Sequence, residues 1–70
     1  MLLCLDAGNT RLKYGLRDGS TWRTQGAIDY AALEELPARL PAAPSRIAAC
    51  NVAGEAARRG IEMLAETLST

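Results

Sequence analysis

Met1 to Leu5 is an unbroken apolar run, Met-Leu-Leu-Cys-Leu, which meets a carboxylate at Asp6 and then Ala7-Gly8-Asn9. A strand with one wet face alternates apolar and polar residues, whereas a continuous run is the pattern of a strand covered on both faces. The run therefore predicts an interior first strand over residues 2–5, ended by Asp6 and turned back by residues that tolerate positive φ. From Thr10 to Leu16 the pattern changes to alternation, with Leu12, Tyr14 and Leu16 on one face and Arg11, Lys13 and Arg17 on the other. This is a second strand, hairpinned to the first. Asp18-Gly19 is a strong two-residue hairpin signal and predicts a type I′ turn, followed by a third strand over residues 20–25.

Beyond the meander the period becomes helical. Tyr30, Leu33, Leu36 and Leu40 recur on one stripe, Asp29 stands where an N-cap would, and Pro37 predicts a kink or restart before the Pro41/Pro44 loop. Residues 46–53, with Ile47 and Val52, read as a second interior strand. From Gly54 on, Ala57, Ile61, Leu64 and Leu68 form a second helical stripe, with Glu55/Arg59 and Arg58/Glu62 paired outside. Gly60 within that helix costs about 1 kcal/mol relative to alanine. The element order is β-β-β-α-β-α. A parallel strand after the first helix belongs beside the first strand, because crossovers are right-handed and the meander occupies the other side. Its outer edge is then bare.

Composition removes several function classes. With 70 residues the chain is one small domain or a piece of one, and with one Trp, two Tyr and no Phe it has few bulky side chains for a core. A piece of a larger domain is the expectation. Eight Lys+Arg balance eight Asp+Glu, so no net charge favours nucleic acid or anionic lipid, and the basic meander of Arg11, Lys13, Arg17 and Arg23 lacks stacking aromatics. No nucleic-acid partner and no membrane partner are expected. Cys4 and Cys50 lie in apolar runs and read as buried, reduced thiols, and with no His in the chain Cys50 has no activating base. The N-terminus carries no basic lead or long apolar segment, and the expected location is cytoplasmic.

The segment that carries chemistry is Asp6-Ala7-Gly8-Asn9-Thr10-Arg11-Leu12-Lys13. A glycine exposes backbone N–H groups, an amide and a hydroxyl add neutral donors, and a lysine supplies a point charge for phosphate oxygens. Asp6 would repel phosphate unless a cation stood between them, which points to Mg²⁺ held by one carboxylate, water and substrate phosphates. A Walker A loop needs a second glycine followed by Lys-Ser/Thr, and a Rossmann turn opens a helix; here one glycine is followed by a strand, so both are rejected. A plain hairpin turn is the rival reading of Asp6-x-Gly8-Asn9, and a solvated strand face that of Lys13. Tyr14 and Trp22 are expected to pack under the first helix or across strands. Asn51, near the exit of the second interior strand, is a weaker site candidate at the end where α/β sheets bind ligands.

An N-terminal buried strand followed by Asp-x-Gly-Asn-Thr and, three residues on, a lysine resembles the first phosphate motif of the superfamily of acetate and sugar kinases and actin. Within it the chain closely resembles the type III pantothenate kinases, the Bvg accessory factor family, whose chains begin with an apolar strand and then D-x-G-N-T-[RS]-x-K. The resemblance implies an α/β fold: an incomplete mixed sheet making the N-terminal part of the first ribonuclease H-like (actin-like ATPase) domain over residues 1–70, the second domain being absent. It implies ATP-dependent phosphorylation of pantothenate to 4′-phosphopantothenate, the first step of coenzyme A biosynthesis, with ATP, Mg²⁺, a monovalent cation (K⁺ or NH₄⁺) and a homodimer of the whole protein. By the same resemblance Asp6 sits near the metal-bound phosphates and Ala7, Gly8, Asn9, Thr10, Arg11, Leu12 and Lys13 belong to the ATP-binding segment, Arg11 and Leu12 without a clear role of their own. The family's proton-accepting aspartate lies in a downstream glycine-rich motif, and this chain has no Asp after Asp29. No catalytic residue is therefore assigned, and the chain alone is expected to be inactive, lacking general-base assistance worth ~10²–10⁴ in rate. The alternatives are a non-enzymatic nucleotide-sensing or regulatory module using the same hairpin, and another kinase of the superfamily.

Overall fold

The computed structural model describes residues 1–51 and 53–69, with Asn51 described in its backbone alone. Four strands, β1 (Leu2–Ala7), β2 (Arg11–Asp18), β3 (Thr21–Asp29) and β4 (Arg46–Asn51), form one mixed sheet in the order β3-β2-β1-β4. A 3₁₀ helix over Tyr30–Glu35 runs into a short α1 (Leu36–Arg39), and α2 (Glu55–Thr67) closes the described chain. The anticipated order of elements is observed, with β4 parallel to β1 and β1 antiparallel to β2. The strands run further than the sequence pattern suggested at β1, β2 and β3, while β4 ends at Asn51; Val52, expected in that strand, lies outside the described residues.

Both helical segments sit on one face of the sheet. Leu3, Leu5 and Ala7 of β1, Leu12 and Leu16 of β2, and Ile28 of β3 meet Leu33 and Leu36 from the first helical segment and Ala57 and Leu64 from α2. Register explains the cluster: Leu3 pairs with Leu16 and Ala7 with Leu12, so the apolar residues of β1 and β2 stack opposite one another. The opposite face has no helical layer among the described residues, and Cys4 there is half-buried while Asp6 is exposed. The expectation of a first strand buried on both faces is thereby corrected. Both cysteines are free thiols, and Cys50 is exposed rather than buried. By alternation they share the uncovered face with Asp6.

Two local expectations change for identifiable reasons, and a third holds. The β2–β3 loop is Gly19-Ser20 rather than Asp18-Gly19, since Asp18 pairs with Thr21, and only Gly19 takes a positive φ (60°). That is the glycine-first pattern of a type II′ turn, not the doubly positive I′ form. Asp29 does not cap the helix; its carboxylate pairs with Arg11 at 3.2 Å across the β2–β3 ladder, and the next residues form a 3₁₀ helix. The restart expected at Pro37 is observed, with proline in the first turn of α1, where its missing N–H costs no hydrogen bond.

The long connection from β3 is tied down where it enters β4. Ser45 donates its N–H to the Met1 carbonyl at 2.9 Å, which starts β4 beside β1. In α2 the expected outer pairs are present, Arg58 with Glu62 at 2.9 Å and Arg59 with Glu55 at 3.6 Å, and Arg58 also meets Glu55 at 2.6 Å. Gly60 has a packing reason, because a Cβ there would come within 2.9 Å of Leu33 Cδ2. Tyr14 and Trp22 both pack across strands: Tyr14 lies over Gly26, and Trp22 over Gly15 on the uncovered face with the Arg17 guanidinium 5.5 Å from its ring. No helix among the described residues is long and apolar enough to cross a membrane.

Leu16 is fully buried in the middle of this core. Leu16→Ala should lower the free energy of unfolding by about 2–5 kcal/mol, read as a shift of the urea midpoint; a change under about 0.5 kcal/mol would show that the core does not depend on the β1–β2 face. The outer edge of β4 has no partner strand among the described residues. Sedimentation of the isolated chain should show concentration-dependent association through that edge, and a clean monomer at all concentrations would contradict it.

Candidate functional site

The β1–β2 hairpin is built so that its core side chains dictate where its polar ones go. Leu5 and Ala7 point into the core, so Asp6 between them points to the uncovered face. On β2 the same rule buries Leu12 and turns Arg11 and Lys13 outward. Asp6 and Lys13 are direct partners in the ladder, so a carboxylate and an ammonium stand side by side on neighbouring strands just behind the turn. The turn itself is Asn9-Thr10, both exposed, closed by the Gly8 N–H donating to the Arg11 carbonyl at 3.1 Å. No residue from Ala7 to Thr10 has positive φ, although the stretch contains residues that tolerate it. What Gly8 supplies is closeness: a Cβ there would meet the Arg11 carbonyl oxygen at 3.3 Å.

The eight residues singled out from sequence therefore separate into groups. Asp6, Asn9, Thr10 and Lys13 are exposed at or behind the turn, and Gly8 is half-buried, its N–H donating to the Arg11 carbonyl and its carbonyl accepting from the Tyr30 hydroxyl. Ala7 and Leu12 are buried core residues, so any contact they make with a ligand is through the main chain. Arg11 is turned sideways onto Asp29. Of the other basic residues on the meander, Arg23 reaches Asp18 at 3.9 Å and Arg17 donates to the Gly19 carbonyl at 2.7 Å. Among the described residues no ion pair engages Lys13, which leaves its ammonium as the available cation next to Asp6.

The hairpin lies at the carboxyl end of β1, and β4, parallel to β1, ends at the same level with Ala7 opposite Asn51. Ligands of α/β sheets gather outside the carboxyl ends of parallel strands. The Asn51 side chain, a weaker candidate from sequence, lies outside what is described. No cluster of three or more metal-ligating side chains occurs among the described residues. A divalent ion here would have the single carboxylate of Asp6 as its protein ligand, which suits Mg²⁺ shared with phosphates and water better than an all-protein cage.

Sequence reasoning did not single out Tyr30 for the site. Its phenol donates to the Gly8 carbonyl and lies 3.4 Å from the Arg11 carbonyl, so it touches both stems of the turn. Burial first, and the Asp6 carboxylate second, push its pKa up. Its place on the apolar stripe of the helix concealed this role. The one available signal was that a tyrosine occupies that stripe's first position, where a hydroxyl can leave the core.

No family model matches the chain. Among curated proteins it is 48% identical over 69 residues to a type III pantothenate kinase of Dechloromonas aromatica (strain RCB), a match that covers 93% of this chain and 29% of that protein. The type III pantothenate kinase of Leptothrix cholodnii is 43% identical over 68 residues, covering 86% of this chain and 26% of the relative. That of Aromatoleum aromaticum is 41% identical over 56 residues, covering 77% and 23%. The chain thus spans about a quarter of the length of the curated relatives it matches. With a mixed α/β sheet whose first hairpin carries Asp6-Ala7-Gly8-Asn9-Thr10, and relatives that share one name, the chain belongs to the type III pantothenate kinase family.

Proposed function

We propose that this chain supplies the ATP phosphate-binding hairpin of an enzyme that phosphorylates pantothenate, and that it does not turn over by itself. The observation that carries the reading is the pairing of Asp6 with Lys13 directly behind an exposed Asn9-Thr10 turn, in a chain whose relatives are named type III pantothenate kinases. Phosphoryl transfer asks little covalent chemistry of a protein; positioning and charge stabilisation supply the rate. The groups on this hairpin suit that task. Lys13 offers an ammonium to the phosphate oxygens, Asn9 and Thr10 offer neutral donors, and Gly8 lets the main chain come close without a side chain between.

Asp6 would hold Mg²⁺, which would neutralise charge on the phosphates and allow a carboxylate to sit beside them. The fold assignment that goes with this reading is a ribonuclease H-like, actin-like half-domain, in which the four strands make up an incomplete sheet. Ala7 and Leu12 hold the two stems in register, and Arg11 braces β2 against β3 through Asp29. The hydroxyl of pantothenate needs a proton acceptor, and the acidic residues that follow Asp29 in this chain are glutamates on the surface of the two helical segments.

Calorimetric titration with Mg·ATP tests the hairpin. The wild-type chain should bind, Asp6→Asn and Lys13→Ala should each weaken binding at least about tenfold, and chelating the magnesium should erase the difference between wild type and Asp6→Asn. Equal affinities for all three proteins would remove the hairpin from the site. A coupled assay with pantothenate should detect no phosphopantothenate from residues 1–70, and turnover would show that the chain carries its own base.

A further inference from the structure

We propose that Tyr30 is a positioning residue of the phosphate loop, a latch whose hydroxyl fixes the Gly8–Arg11 turn in the shape that presents its N–H groups to a polyanion. The proposal rests on the hairpin being the phosphate site and adds a residue from outside it. A turn of Gly, Asn and Thr has many accessible conformations when left alone, and glycine has the most of all. Here the turn is held from a distance. Tyr30 stands 22 residues away from Gly8 in sequence and donates its phenolic proton to the Gly8 carbonyl, with the Arg11 carbonyl 3.4 Å off.

The consequence for an anion is direct. Carbonyl oxygens at the mouth of a phosphate loop repel phosphate, while N–H groups attract it. The two carbonyls at the base of this turn are both engaged, Gly8 by the Tyr30 hydroxyl and Arg11 by the Gly8 N–H at 3.1 Å. Their dipoles are thereby directed across the stem, toward the sheet and the phenol. The preceding residue strengthens the hold, since Asp29 grips the Arg11 side chain at 3.2 Å and pairs with it in the ladder. Two consecutive residues, one ionic and one hydrogen-bonding, thus fasten the end of β3 to the loop.

The latch is in turn anchored by packing. The Tyr30 ring is half-buried against the core and borders an open cleft of about 400 Å³ between the 3₁₀ helix and α2, lined by Leu33, Pro37, Gly60 and Leu64 together with Glu34 and Thr67. Packing against the core on its other side ties the ring to the helical segment that carries it.

Tyr30→Phe keeps the ring and removes the donor. In the 70-residue chain the amides of Gly8 to Lys13 should exchange at least about tenfold faster than in wild type, with those flanking the Gly19-Ser20 turn unchanged, and Mg·ATP should bind about tenfold more weakly. Placing 4-aminophenylalanine at position 30, which restores a donor on the same ring, should recover the affinity, and 4-fluorophenylalanine, of nearly the bulk of tyrosine but with no donor, should not. The fluorinated ring also serves if the phenylalanine variant does not fold. If wild type binds Mg·ATP and the donor-free variants bind it equally, with unaltered exchange in the turn, the latch is wrong and the phosphate site stands. If wild type itself does not bind, the phosphate reading fails and the latch's role falls with it.

Discussion

The pleat is the constraint on which everything else in this molecule depends. Because side chains alternate along a strand, burying Leu5 and Ala7 leaves Asp6 no choice but the opposite face, and burying Leu12 sends Arg11 and Lys13 there too. Register then makes Asp6 and Lys13 neighbours. A slip of one residue between β1 and β2 would break that pair and turn a row of leucines to water. The hydrophobic core on one side of the sheet is therefore what aligns the charged groups on the other, and core stability and site geometry are one requirement.

Glycine serves this sheet mainly by letting other groups come close. Gly15 and Gly26 give Trp22 and Tyr14 surfaces to lie on, on opposite faces of the meander, and Gly60 lets α2 approach Leu33. Each forgoes the conformational restraint a side chain would add, and each gains contact between elements that a methyl group would hold apart. In a chain with three aromatic residues, that economy of bulk is how a small core comes to close.

Much of this was legible in the sequence where a period was clean. The alternation from Thr10 to Leu16, the stripe of α2 and the right-handed crossover each pointed to the observed element, and Asp6, Gly8, Asn9, Thr10 and Lys13 share one corner of the sheet as their spacing implied. The misreadings have physical causes. An apolar run does not reveal whether a second layer exists to cover it, which is why Cys50 is exposed and β1 is covered on one face. Asp29 can cap a helix or pair with a cation, and Arg11 directly across the ladder won. The inward positions of Ala7 and Leu12 follow from the same alternation but are hidden inside a motif read as a unit. Tyr30 was hidden because a stripe records which residues face the core and is silent about where a hydroxyl emerges from it.

One detail of the uncovered face gives the molecule a reporter of its own. The chain has a single tryptophan, and Trp22 packs over Gly15, one alternation along β2 from Lys13, with the Arg17 guanidinium near its ring. An indole so placed is 45% exposed and borders a shallow groove lined by Cys4, Asp6 and Lys13. Its emission colour depends on local water, so whatever comes to shield this side of the sheet would announce itself as a blue shift, free of background from any other indole.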